Sequence, residues 1–226
     1  MSSVLRVIAT ILIGMAIFIG LPLLGWGIDD FRGFIGQPAR LTYLVLVFLM
    51  NAIIAIRIPE VGHDRSKGVK MIRRQKLAVL LLQIINLSLV IVAPYGDRRD
   101  LAVFGDHEII RYFGLVLYLL GIIGMHWAEM ALGKQFNIQV SIIEGHRLLT
   151  DGPYKYLRHP RYSSIIIFIT GISLVFRSWL ALILAAATAL VLLWRIHDEE
   201  KLMSQQFGDE WQSYIRKTWR LIPFIY

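Results

Sequence analysis

The chain has 226 residues, 56% of them hydrophobic, with 24 basic and 16 acidic residues and a formal charge of +8. The absence of cysteine excludes disulfides, thiolate catalysis and Cys-ligated metals, and no metal site is expected. The basic residues lie between long apolar blocks rather than on a soluble basic domain, which argues against nucleic-acid binding and for contact with membrane lipid headgroups.

A bilayer core needs about 20 apolar residues per helix. In chain order, residues 4–27, 40–58, 77–95 and 109–132 meet that requirement. The first block is read as a retained span, because no small-x-small cleavage pattern precedes Asp29-Asp30. Residues 162–196 exceed one span and are interrupted by Phe176-Arg177-Ser178-Trp179, which predicts a helical hairpin with arms 162–176 and 179–196. Beyond Glu200, Leu202, Met203, Phe207, Trp211, Tyr214 and Ile215 recur at helical spacing, with Gly208 expected to separate two short interfacial helices. The ending, 219–226, reads as an interfacial anchor.

The expected fold is all-α: a polytopic transmembrane helical bundle of five to six membrane segments, the last apolar region a hairpin, plus a C-terminal interfacial amphipathic helix. Residues 1–108 supply N-terminal transmembrane helices and 109–226 a core carrying the chemistry, in one integrated domain. The 57–76 and 133–161 connections and the tail are basic, whereas 28–39 and 96–108, with Asp29, Asp30, Asp97, Asp100, Asp106 and Glu108, are balanced or acidic. Basic connections face the cytoplasm. Both termini and both polar clusters described next are therefore expected on that side of an integral, multi-pass membrane protein.

The first cluster is Gly152-Pro153-Tyr154-Lys155-Tyr156-Leu157-Arg158-His159-Pro160-Arg161-Tyr162, and the second is Arg195-Ile196-His197-Asp198-Glu199-Glu200. Pro153 and Pro160 remove backbone donors and restrain the chain, so the first cluster is not a simple helix. Irregular backbone at a membrane edge is tolerated where it lines a cavity. Two such clusters at one edge suggest a site for a charged cofactor beside a lipid-accessible space. Glu199 lies one turn after Arg195 and is placed to pair with it, while Glu200 is expected to be solvated. Within the spans, Asn51, Gln83, Asn86, His126 and Glu129 stand out. The i,i+3 pairs Gln83–Asn86 and His126–Glu129 are expected to act mainly as interhelical hydrogen-bonding groups, with substrate contact as the alternative and solvation as a further one for Glu129. Gly114, Gly121 and Gly124 are expected to permit close helix packing.

These residues resemble the superfamily of isoprenylcysteine carboxyl and phospholipid methyltransferases. Gln139, His146-Arg147-Leu148-Leu149, Gly152-Pro153-Tyr154, Arg158-His159-Pro160-Arg161-Tyr162 and Arg195 to Glu199 carry the resemblance, with the 207–214 tail, over about residues 112–226. The resemblance implies an S-adenosylmethionine-dependent methyltransferase acting on an amphipathic or lipid acceptor. It implies cofactor binding by Gln139, His146, Arg147, Leu148, Leu149, Tyr154, His159, Pro160, Arg161, Tyr162 and Glu199, with Arg195 at the acceptor and Arg195 and Glu199 as catalytic residues. A neutral amine acceptor would also have to lose a proton, for which His197 or Glu200 is nearby. An NADPH-dependent sterol- or enone-reductase-like enzyme, which shares the Arg-His-Pro-x-Tyr segment, and a non-catalytic bundle are the alternatives.

Overall fold

The computed structural model describes residues 3–57, 70–71, 74–105, 107–133, 141–142 and 148–225. The first crossing is α1 (Ser3–Met15), a π-helical turn (Ala16–Gly20) and α2 (Leu21–Trp26) in unbroken succession. The Phe18 carbonyl in the π turn accepts the Tyr43 hydroxyl at 3.0 Å, satisfying a backbone group that water cannot reach. The short helix α3 (Phe31–Gly36) leads into α4 (Pro38–Arg57), then α5 (Arg74–Arg99), α6 (Glu108–Leu132), α7 (Pro160–Val175) and α8 (Trp179–Ile215). Two-residue strands, Lys70–Met71 and Ser141–Ile142, pair antiparallel between the α4–α5 and α6–α7 connections.

Five helices are long and apolar enough to cross a membrane, and α7 is a shorter apolar helix. Many of their large hydrophobic side chains, such as Phe48, Ile84 and Leu190, are exposed. That is the pattern of helices facing lipid rather than water. The expected helical bundle is present, and so is the hairpin. Ser178 caps α8 by accepting from the Ala181 N–H at 3.1 Å, and Arg177 sits in the left-handed region at φ 51° to turn the chain. The structure differs in one respect beyond the hairpin: α8 continues without interruption from Trp179 and first departs from helical geometry at Gly208 (φ 49°). The stretch after Glu200 is therefore an extension of the last membrane helix. It turns Leu202, Trp211 and Tyr214 inward.

Helices α6 and α7 are in close contact. A Cβ on Gly114 would lie 2.7 Å from the Gly171 carbonyl oxygen, and one on Gly171 would lie 2.5 Å from the Tyr118 amide nitrogen. Any larger residue at either position would force the helices apart. The adjoining core is aromatic, with Tyr43, Tyr118, Phe168 and Phe176 in edge or tilted contact.

One end of the bundle is held by a buried acid. Asp97 lies inside the last turn of α5 rather than in a connection. Arg111 donates to both its oxygens at 2.9 Å, Arg40 to Oδ2 at 2.8 Å and Arg177 to Oδ1 at 2.8 Å. Four elements (α4, α5, α6 and the α7–α8 turn) thus converge on one carboxylate. Helix α7 starts at the opposite end of the molecule, so α7 and α8 run antiparallel between the two ends. Removing one partner of a buried ion pair typically costs about 3–5 kcal/mol, because the remaining charges lose their compensation. Asp97→Asn should therefore lower thermal stability in detergent by about that much, with Asp100→Asn nearly neutral because Asp100 is mostly exposed. Equal melting temperatures for the Asp97 variant and the unmodified protein would contradict this assignment.

Candidate functional site

The other end of the bundle brings the two polar clusters together. A 3-10 turn at Gly152–Lys155 opens the segment, with Gly152 at φ 58°. Pro160 occupies the first turn of α7, and His159 precedes it in non-helical geometry without capping α7. The His159 side chain is thus directed toward α8. Its Nδ1 lies 3.5 Å from Glu199 Oε2 and its Nε2 lies 3.3 Å from Glu200 Oε1. Both ring nitrogens face carboxylates, which favours the imidazolium. Burial opposes protonation, but hydrogen bonds to Glu199 and Glu200 outweigh it and raise the His159 pKa above its ordinary value.

Tyr162, one turn into α7, stacks on His159 with ring planes 9° apart. Its hydroxyl accepts from Arg195 Nε at 2.7 Å and donates to Glu199 Oε1. Arg195 Nε also reaches Glu199 Oε1 at 3.1 Å across one helical turn. Arg195 is buried. Arg161 points the other way around α7 and donates to Glu129 of α6 at 2.9 Å, and Glu129 contacts His126 at 3.0 Å. Glu129 therefore links α6 to α7 at the margin of the site, while His126 pairs with Glu129 along α6 itself. Tyr154 is buried nearby, its carbonyl accepting the Tyr214 hydroxyl at 2.7 Å.

Glu200 is not solvated as expected. It accepts from Arg158 at 2.9 Å and from Arg220 at 2.6 and 3.1 Å, in addition to its contact with His159. Its position on α8 turns it toward the returning tail, a direction that residue spacing alone does not reveal. The tail itself is strapped to the Arg-His-Pro segment. The Arg158 amide donates to the Trp219 carbonyl at 2.8 Å, the Trp219 amide to the Tyr156 carbonyl at 3.0 Å, and Ser163 Oγ to the Leu221 carbonyl at 2.6 Å. Residues 219–221 thus do more than anchor the chain at an interface, because they close one wall of the site.

A cavity of about 250 Å³ adjoins this cluster. Arg161, Tyr162 and Arg195 line it beside Val79, Leu82, Gln83 and Asn86 of α5 and Ile165 and Leu192 of the hairpin. At its α5–α8 edge, Gln75 Nε2 donates to Asp198 at 2.9 Å, a contact between residues without a shared motif. The structure therefore brings Tyr154, His159, Pro160, Arg161, Tyr162, Arg195 and Glu199 to one region. Leu148 and Leu149 are partly buried just before the 3-10 turn. Gln139, His146 and Arg147 lie outside the described residues. No cluster of three metal-ligating side chains occurs among the described residues.

The model of the isoprenylcysteine carboxyl methyltransferase (ICMT) family matches residues 114–205, from α6 through the second polar cluster. Over that stretch the chain is similar to the isoprenylcysteine carboxyl methyltransferases. A probable protein-S-isoprenylcysteine O-methyltransferase of Oryza sativa subsp. indica is 29% identical over 127 residues, 53% of this chain and 64% of the rice protein. Protein-S-isoprenylcysteine O-methyltransferase B of Arabidopsis thaliana is 26% identical over 192 residues, 81% of this chain and 91% of the plant protein. The uncharacterized protein YpbQ of Bacillus subtilis (strain 168) is 29% identical over 96 residues, 42% of this chain and 57% of YpbQ. The chain thus spans just under two thirds of the rice superfamily member.

The His159 clamp has a defined pH dependence. A group whose pKa rises on folding contributes its full stability below the unfolded value, here 6.5, and loses it as pH climbs through the higher folded value. The melting temperature in detergent should therefore fall as pH rises above about 6.5 and through the raised folded value. His159→Gln should flatten that slope. A slope of the same size in the variant would assign it to other groups.

Proposed function

We propose that this protein is an integral membrane methyltransferase, isoprenylcysteine carboxyl methyltransferase-like, that uses S-adenosylmethionine to methylate an amphipathic or lipid acceptor. The observation that carries this reading is the meeting of His159, Tyr162, Arg195 and Glu199 at one end of the bundle, beside an apolar cavity open between helices. The family-model match over residues 114–205 and the methyltransferase names of the rice and Arabidopsis relatives favour methyl transfer over a sterol or enone reductase.

The residues present fit the cofactor by their chemistry. Glu199 offers a carboxylate to an ammonium, His159 and Arg161 offer positive charge to a carboxylate, and Tyr154 and Tyr162 offer aromatic surface to adenine. Gln139, His146, Arg147, Leu148, Leu149 and Pro160 complete the proposed cofactor-binding set. The cofactor supplies a methyl group already activated on a sulfonium, so no covalent nucleophile is required of the protein. Arg195 would hold the acceptor's anionic end and, with Glu199 and Tyr162 fixing the guanidinium, orient it for transfer. Positioning of this kind can account for several kcal/mol of a barrier, on the order of 7–11 in favourable cases.

The helix ends that flank the basic connections, and the tail, lie at the site end, which supports a cytoplasmic site with both termini on the same side. Residues 109–226 would form the methyltransferase core, with 1–108 completing the bundle in a single integrated domain. Membrane lipids are the expected surroundings.

Calorimetric titration with S-adenosylhomocysteine tests the reading. The unmodified protein should bind it, Glu199→Gln should abolish binding, and Arg195→Lys should lose acceptor methylation while weakening binding less than about tenfold, because a lysine cannot reproduce the guanidinium's fork. Well-folded protein that fails to bind S-adenosylhomocysteine would overturn the reading.

A further inference from the structure

Gln83 stands out on the wall of the cavity. It lies well inside α5, is exposed, lines the cavity with Arg161 and Arg195, and makes no hydrogen bond to any of the described residues. Its neighbour one turn on behaves differently. Asn86 donates to the Leu82 carbonyl at 2.7 Å and lies 3.5 Å from the Thr188 hydroxyl, so it links α5 to α8. Gln83 has no such role. A polar side chain within a membrane helix is costly, and a leucine there would be favoured. An amide kept at this position needs a partner that the helices do not supply.

The level of that partner can be estimated. Asn86 is level with Thr188, which precedes Arg195 by seven residues, or about 10 Å of helix rise. Gln83 lies three residues back toward the site end, about 4.5 Å closer. Its backbone is therefore about 6 Å deeper in the bundle than that of Arg195. An amphiphile whose anionic end meets Arg195 would at that depth still be in its linker rather than in its hydrocarbon tail. We infer that Gln83 is a specificity-determining residue that donates a hydrogen bond to an ester or amide carbonyl in the linker just below the acceptor's anionic end. The inference rests on the cavity being the acceptor's site. It narrows the acceptor class to amphiphiles with a carbonyl linker.

The amide's two N–H groups suit a carbonyl oxygen, which accepts in two directions. An ether or bare hydrocarbon at the same level leaves those donors unsatisfied in an apolar cavity, and a net hydrogen bond of this kind corresponds to about a five- to tenfold preference.

The test compares two probes that differ in one group: 1-oleoyl lysophosphatidic acid, an ester, and its 1-O-oleyl ether counterpart. Binding of each to the full-length protein is measured calorimetrically in detergent, together with S-adenosylhomocysteine as a separate titration. The unmodified protein should bind the ester about five- to tenfold more tightly than the ether. Gln83→Leu, which keeps bulk and suits a lipid-facing helix, should bring that ratio to about one by weakening ester binding and leaving ether binding unchanged. An absent preference in the unmodified protein, a preference that survives in the variant, or failure to bind either lipid would overturn the inference. If S-adenosylhomocysteine fails to bind while a Gln83-dependent ester preference is present, the methyltransferase reading falls and the carbonyl subsite stands. If S-adenosylhomocysteine binds and the ester preference is absent, the subsite falls and the methyltransferase reading stands.

Discussion

The structure at the site end depends on two adjacent carboxylates that face different partners. Glu199 looks into the bundle at His159, Tyr162 and Arg195, and Glu200 looks toward the returning tail at Arg158, His159 and Arg220. His159 touches both. Burying two acids side by side would normally be prohibitive, because each loses hydration worth several kcal/mol and repels the other. Here the surrounding cations and hydrogen bonds compensate both charges. One imidazole therefore ties the α8 acids, the start of α7 and the chain terminus into a single unit. The cavity wall is built on that unit.

The opposite end uses the inverse arrangement, one acid among three arginines. Asp97 collects Arg40, Arg111 and Arg177 from elements far apart in sequence. Arg177 also holds the left-handed turn that reverses the hairpin. With the last two helices fixed at both ends, the glycine-mediated contact of α6 with α7 sets the lateral position of Arg161 and Tyr162. The cavity between α5 and the hairpin then lies where helix packing is less constrained. These two charged clusters define opposite ends of the molecule. They account for a site at one end with lipid-accessible walls below it.

Features governed by local sequence were legible in advance. Apolar block length indicates the crossings, and Phe176-Arg177-Ser178-Trp179 marks the hairpin because an arginine and a serine interrupt an otherwise continuous apolar run. The Arg-His-Pro-Arg-Tyr segment and the Arg195–Glu199 spacing mark the candidate site because each lies within one short stretch. Features that require knowledge of facing surfaces were not legible. Asp97 reads as a loop acid beside Gly96 and Arg98, yet it is the most heavily paired carboxylate at its end of the bundle. Glu200 reads as the wet member of an acidic pair, because nothing in its spacing reveals that Arg220 folds back over it. The continuation of α8 to Gly208 was hidden by the change from apolar to amphipathic composition at Glu200, where composition shifts but helix propensity does not.

The Arg-His-Pro segment, the acids of α8 and the tail form one closed unit at one end of the bundle. The chain contains no cysteine, so paired substitutions report without background. Leu157 and Trp219 face each other in a parallel bridge, within the range of Cα separations that a disulfide can span. Mild oxidation of a Leu157→Cys, Trp219→Cys double variant in membranes should give a rapid intramolecular cross-link, and each single variant should be labelled from the same side by an impermeant thiol reagent. Absence of the cross-link, together with labelling of the two positions from opposite sides, would contradict the account.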